Sequence, residues 1–380
     1  MAPHHAGHAP RDPTHALPDG SSPLINQSRE ITGIGSMPND EAIRSVEHLR
    51  PMPSDQGRFV IPGHHVRCWP MREREALPRV TILMATHNGE AHLREQLDTI
   101  LSQEGVDLHL IVSDDASRDS TPQILADAAA ADSRITLLPT GRFGSPSANF
   151  YRLLTEADYA DADFIGFADQ DDRWRPGKLA RHASILIESA ADGVSSNVVA
   201  FDEDGSERLI RKDFPQQALD YCFETPGPGS SMLLTARLAR MITEQLKNPV
   251  SPARNAWSHD LLFYALARAA GLTWIIDPEP TVEYRQHAGN AIGANGTVRA
   301  AAKRLHLTAT RWHRKLVAIV TESAIHVATP EELPRLVWLH EMLANPTPRN
   351  LARIAARTEH LRRRTRDQIA LRGLLLGGLW

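Results

Sequence analysis

Phe164-Ile-Gly-Phe-Ala168 runs directly into Asp169-Gln-Asp-Asp172, a short stretch without a polar side chain followed by three carboxylates in four positions. Such an uninterrupted run reads as a strand buried on both faces, and the acidic cluster marks its carboxyl end. The same arrangement occurs upstream. Val80-Thr-Ile-Leu-Met84 is followed by Ala-Thr-His-Asn-Gly89 and a predicted helix over Glu90–Gln103. Leu108-His-Leu-Ile-Val112 is followed by Ser113-Asp-Asp-Ala-Ser117 and a predicted helix over Thr121–Ala131. Ile135-Thr-Leu-Leu138, then helices around Ala148–Glu156 and Pro176–Glu188, continue the alternation. Strands alternating with helices predict an α/β fold with a mostly parallel sheet. Ligands in such sheets sit beyond the carboxyl ends of the strands, so the polar clusters are expected to form one site.

Outside this stretch the composition changes twice. Residues 1–78 hold 11 of the 26 prolines and 7 of the 18 histidines with almost no periodic apolar pattern, and are expected to be disordered apart from a short helix over 40–49. His4, His5, His8 and His15 read as a solvated tail rather than a metal site. Residues 299–380 read as helical, with breaks near Pro330, Pro346 and Pro348, and carry 15 Lys plus Arg against 6 Asp plus Glu. The expected organisation is therefore a tail over 1–78, an α/β domain over 79–298 and a basic helical extension over 299–380. The apolar face of that extension is expected to pack on the domain while Arg362, Arg363, Arg364 and Arg366 stay solvated. Peripheral membrane contact by its last turns is the alternative.

The whole chain excludes several classes. A formal charge of -4 over 380 residues argues against a nucleic-acid binder. Two cysteines, Cys68 and Cys222, make no disulfide framework and lack zinc-ligand spacing. Met1–His8 shows no signal-peptide pattern and no apolar run approaches a membrane span, so a cytoplasmic location is expected. A dinucleotide fingerprint, a P-loop and a Gly-x-Ser-x-Gly elbow are all missing, and the first loop lacks the glycine-rich, arginine-bearing form of a nucleotidyltransferase. The sequons at Asn26 and Asn295 would be idle in the cytoplasm. What remains is the acidic site. Packed carboxylates repel unless a cation lies among them, and Asp169-Gln170-Asp171 offers oxygen ligands suited to Mg2+ or Mn2+.

The segments Val80–Gly89, Val112–Asp119 and Phe167–Pro176 resemble, in order and spacing, the inverting family 2 glycosyltransferases of GT-A fold. Trp257-Ser-His-Asp260 and Asp277–His287 look like the rhamnosyltransferase-type branch of that family. The resemblance covers roughly residues 79–380. It implies that Thr86 and His87 contact the nucleotide, and that Asp115, with Asp114 beside it, accepts the pyrimidine N3–H of uracil or thymine. Asp169 would approach the ribose or the metal, Asp171 would ligate the metal, and Asp260 would be the general base. Without the resemblance, Asp260 reads as the N-cap of a helix over Leu261–Ala270. Arg285 and His287 would stabilise phosphate or acceptor, and Pro226–Met232 falls where the family has a small-residue loop near the acceptor. Trp174 is expected to pack under the acidic loop rather than stack on sugar. The implied reaction moves a sugar, L-rhamnose from dTDP-L-rhamnose, to a glycan or lipid-linked glycan of a surface polysaccharide or O-antigen. A UDP-hexose donor, or a non-catalytic nucleotide- or glycan-binding protein of the same fold, are the other readings.

Overall fold

The computed structural model describes residues 76–202, 204–286 and 311–380. The expected N-terminal tail with its helix over 40–49, the start of the C-terminal extension, Asn295 and His287 lie outside the described residues.

Four parallel strands form one half of a nine-stranded sheet: β1 (Arg79–Thr86), β2 (Asp107–Asp114), β3 (Ile135–Leu137) and β4 (Phe164–Ala168), in the order β3-β2-β1-β4. Helices α1 (Leu93–Leu101), α2 (Thr121–Ala131) and α3 (Pro146–Glu156) connect them, and α4 (Lys178–Ser189) follows the acidic cluster. The other half is mixed. It consists of β5 (Arg173–Trp174), β6 (Gly193–Phe201), β7 (Glu207–Ile210), β8 (Leu233–Thr235) and β9 (Trp274–Arg285). Strand β8 runs antiparallel to β4 and β6, while β9 runs parallel to β6 across a bulge at Ser196–Val198.

Alternate residues of β1 serve opposite layers, which is why its sequence is apolar throughout. Ile82 and Met84 join α1, α2 and α4 in one core, whereas Leu83 and Ala85 face the other core. That second core holds α3, α5 (Ala236–Lys247) and α6 (His259–Ala269). It also takes in the C-terminal helices α7 (Trp312–Ile325), α8 (Leu333–Ala344), α9 (Pro348–Ala355) and α10 (Thr365–Leu376) through Leu316, Val320, Leu339, Ile354, Leu371 and Leu375.

The expectation that the whole arginine run stays in water is corrected here. The Arg363 side chain is 1% exposed, with its Nε 3.3 Å from Asp220 and 3.2 Å from Glu224. Arg362 lies 4.0 Å from Glu224. The buried acid Asp220, on the 3-10 turn Asp220–Cys222, draws Arg363 inward, because a buried charge is tolerated only when paired. Arg364 and Arg366 stay near the surface beside Asp367. The terminal Trp380 stacks on Phe223 with ring centroids 5.8 Å apart, and its indole N–H donates to His313 Nδ1 at 2.8 Å. Among the described residues no helix is long and apolar enough to cross a membrane.

Candidate active site

Register brings the polar clusters together. Thr86 pairs with Asp114 across β1–β2, and Met84 pairs with Ala168 across β1–β4, so the loops that begin at His87, Asp115 and Asp169 emerge side by side. A cavity of about 780 Å3 opens between them, lined by Thr86, His87, Asp115, Asp169, Asp171 and Asp260 among others. Its size is ordinary for a small-molecule site.

Asp114 does not line the cavity. Its carboxylate accepts the Thr86 hydroxyl at 2.9 Å, the Ser117 N–H at 2.9 Å and the Ser117 hydroxyl at 2.5 Å, and so holds the end of β1 to the next loop. Asp115 accepts the Phe143 and Gly144 amides at 2.5 and 2.8 Å, which fixes the 142–144 loop over it. Ala116, between Asp115 and Ser117, has φ +51°, a left-handed conformation that an alanine adopts at a cost of about 1 kcal/mol. His87 Nδ1 contacts the Asp115 carbonyl at 2.6 Å, and Gln170 makes a reciprocal pair of hydrogen bonds with the His87 backbone, at 2.7 and 3.0 Å. A Cβ on Gly89 would meet the Gln170 amide at 2.4 Å and push it off the His87 backbone.

At the centre of the cavity negative charge accumulates. Burial, then the charges of Asp171 and Asp260, push the Asp169 carboxyl up to about 7. Burial and the neighbouring Asp169 and Asp171 push Asp172 well above the usual carboxylate range, against hydrogen bonds from the Ser230 hydroxyl and the Arg285 N–H. The Tyr284 phenol is held protonated by burial and by all four of these acids. Behind them Lys178, lowered to about 7 by burial against the pull of Asp172, lies 3.5 Å from the centre of the Trp174 ring. Trp174 itself is buried beneath the acidic loop, as expected.

A cation fits this site. The donor set is oxygen only, and positive charge relieves the repulsion that raises Asp169. No group of three or more His, Cys, Asp or Glu is arranged to hold a metal ion among the described residues. Asp169 and Asp171 are the residues that would hold such an ion, with further positions filled by substrate oxygens and water as is usual for Mg2+.

Asp260 enters from the opposite wall, in the first turn of α6. Ser258 occupies the N-cap position instead, and Asp260 accepts the Ser258 hydroxyl at 2.5 Å and the Leu261 N–H at 2.9 Å. His259 before it is buried against Phe150, with centroids 4.3 Å apart, and burial keeps it neutral. Gly229 abuts that ring so closely that a Cβ would stand 2.2 Å from His259 Nε2. Pro228 is extended, with φ -64° and ψ 153°, and lines the cavity beside Gly229.

Arg285 lies outside the lining. Its guanidinium donates to the Asp171 carbonyl at 2.8 Å, pairs with Glu95 at 2.5 Å and covers Phe201, bracing the acidic loop from behind. Among the lining residues that the sequence reading did not name as site residues are Arg118, Arg142, Trp257 and Trp312. Arg118 follows the Ser113–Ser117 cluster directly and carried a signal, whereas nothing local marks Arg142 or Trp312.

The family Glycosyl transferase family 2 matches residues 81–252. The dTDP-rhamnosyl transferase RfbG of Shigella flexneri is 36% identical over 242 residues, covering 63% of this chain and 84% of that protein. The Escherichia coli UDP-Glc:alpha-D-GlcNAc-diphosphoundecaprenol beta-1,3-glucosyltransferase WfgD is 32% identical over 110 residues, 29% of this chain and 42% of that one. Among solved structures, residues 1–349 of S. aureus TarS in complex with UDP-GlcNAc superpose with a TM-score of 0.50 at 13% identity, over 78% of this chain and 86% of the other. The GT-A-like α/β fold is thereby shown.

Proposed function

The chain belongs to glycosyl transferase family 2, and on that premise we propose that it moves L-rhamnose from dTDP-L-rhamnose to a hydroxyl of a surface glycan, inverting the anomeric centre. The observation that carries this reading is the convergence of Asp169 and Asp171 with Asp260 on one cavity. The resemblance to RfbG supports the donor.

Asp115 accepts the pyrimidine N3–H, which suits thymine or uracil and opposes cytosine, whose N3 is itself an acceptor. Arg118 and Arg142 face the diphosphate. Asp169 and Asp171 would hold Mg2+ or Mn2+, which would supply positive charge to the departing diphosphate. Asp260 takes the proton from the acceptor hydroxyl. The acceptor oxygen then forms its bond to the anomeric carbon as the bond to the diphosphate breaks, and the electron pair leaves with the nucleoside diphosphate. A UDP-hexose donor is the second reading, favoured by the similarity to WfgD. A lipid-linked acceptor would bring the exposed Ile369, Leu376 and Leu379 near a membrane surface.

A thermal-shift panel of dTDP, UDP, GDP and CDP, each with Mn2+ and again with EDTA, tests the site. A ligand that binds only the folded state raises its stability by RT ln(1 + [L]/Kd). Metal-dependent shifts confined to dTDP or UDP, followed by transfer from the matching sugar nucleotide, support the proposal. No shift with any nucleotide overturns it.

A further inference from the structure

The two walls of the cavity differ in chemistry. The wall built from the ends of β1, β2 and β3 carries Arg118 and Arg142. From Pro228 onward the described lining holds no Lys or Arg, and its one carboxylate is Asp260. That second wall is aromatic. Trp257 and Trp312 both line it, half-buried, with ring centroids 5.7 Å apart and planes inclined at 48°.

Both indoles are held firmly. Trp257 stands three residues before Asp260, between the 3-10 turn Pro252–Asn255 and helix α6. Trp312 is the first residue of α7, a helix that packs on α6 and on that same turn. The C-terminal extension, beyond the stretch that matches the family, thus contributes a side chain to the site.

We propose that Trp257 and Trp312 form the subsite for the acceptor's terminal sugar, and that this sugar is an uncharged pyranose. The inference rests on the glycosyltransferase reading above and adds the acceptor class to it. The two indoles pack on one another, and the apolar ring surface they turn to the cavity receives the C–H face of a sugar ring while the ring hydroxyls stay free for Asp260 and Ser258. Aromatic faces give large contact area with little ordering entropy. An anionic sugar is disfavoured there, since that stretch of the lining carries the carboxylate of Asp260 and, among the described residues, includes no Lys or Arg to offset a second negative charge. The phosphate-bearing donor is directed to the arginine side for the same reason.

The full chain labelled with 5-fluorotryptophan tests this by fluorine NMR, with Trp257→Phe and Trp312→Phe assigning the two resonances. In the presence of Mn2+ replaced by Mg2+ and dTDP or UDP, neutral methyl glycosides of di- and trisaccharides are titrated against counterparts ending in a uronic acid. The expected result is that a neutral glycan moves both resonances, that the uronate binds at least tenfold more weakly, and that Trp312→Ala weakens the neutral glycan at least tenfold. The nucleotide thermal shift stays as in the wild type in that variant. Trp312→Leu, which keeps bulk without an aromatic face, repeats the loss if the alanine variant folds poorly. Equal binding of neutral and anionic glycans, or movement of neither resonance while the nucleotide shift persists, overturns the subsite and leaves the donor reading standing. Absence of the nucleotide shift in the wild type is instead a failure of the glycosyltransferase reading.

Discussion

The Asp172 carboxylate and the Ser230 hydroxyl stand 2.7 Å apart in the interior, and their bond ties the acidic loop to the turn that abuts His259. Both residues are essentially fully buried. Asp172 receives a second bond at 3.1 Å from the Arg285 N–H, at the end of β9. One carboxylate thus joins three elements that border the cavity.

Ser230→Ala removes the Ser230 hydroxyl bond to that buried acid without adding bulk. Leaving a buried polar group one bond short costs about 1–3 kcal/mol. Urea denaturation should show a loss of that size with an unchanged m-value. A loss below about 0.5 kcal/mol would mean that water replaces the lost bond and that the joint carries little energy.

Asp260→Asn keeps the shape of the side chain and removes its basicity. General-base catalysis contributes about 10²–10⁴ in rate, so kcat should fall by that factor. The metal-dependent nucleotide shift should persist, because Asp260 is not among the residues proposed to hold the nucleotide or the metal. A variant that loses nucleotide binding as well would place Asp260 on the donor and not on the acceptor.

Strands β1, β2 and β4 were legible because each is largely buried on both faces and ends in a polar cluster. Their boundaries differ from expectation by a residue or two, and the helix over Thr121–Ala131 is found as expected. The other half of the sheet was not legible. Strand β6 carries Ser195, Ser196 and Asn197 in its interior, and β9 carries Pro278 and Pro280, which argue against strands in a local reading. They are tolerated because distant partners complete them: Ser196 bonds Thr281 at 2.7 Å, and Asn197 receives the Lys212 N–H at 2.6 Å. The same limit applies to the site. Asp169, Asp171 and Asp115 advertise themselves at strand ends, whereas Trp312 reaches the cavity only through the packing of α7 on α6.

Removing the metal should act through the acids it neutralises. A carboxyl raised to about 7 is protonated below that pH, so cation and proton compete for Asp169. Metal-dependent dTDP or UDP affinity should rise as pH increases through 7 and level off above it. Without metal the same group opposes folding as pH rises from 3.8 toward 7, since the unfolded chain releases its proton first. Asp171→Asn should weaken the Mn2+-dependent shift by about 10–100-fold in affinity, as loss of a metal contact usually does. Calorimetry at pH 6, 7 and 8 checks both statements, and a pH-independent metal affinity would contradict them.

His313 gives the C-terminal packing an acid limit. Burial and the nearby Arg362 push its imidazole down to about 3, and neutral Nδ1 accepts the Trp380 indole N–H. A depressed folded value means stability present above the unfolded value of 6.5 and lost as pH falls from there toward 3. Allowing for the partly exposed ring, the loss by pH 5 is about 1–2 kcal/mol. His313→Phe should lower stability at pH 7.5 yet flatten the decline between pH 7 and 5. A parallel decline in wild type and variant would assign the acid sensitivity to other groups.

Arg363 decides how the basic tail is to be interrogated. Its guanidinium is buried between Asp220 and Glu224, and it donates to the Thr225 carbonyl. Arg363→Ala leaves those acids buried with one cation fewer, which costs about 3–5 kcal/mol for a buried pair broken on one side. Asp220→Asn combined with Arg363→Met should recover part of that loss, with a coupling of about 0.5–3 kcal/mol in a double-mutant cycle. Truncation after Arg362 would remove the same ion pairs together with the Trp380–His313 contact, so weaker liposome binding by that truncation would report unfolding as readily as a lost membrane surface. Ile369→Glu with Leu379→Glu avoids the ambiguity, because both side chains are exposed, at 65% and 59%. Reduced binding to anionic vesicles at unchanged Tm would support membrane contact through α10. Unchanged binding would leave packing as the role of these helices.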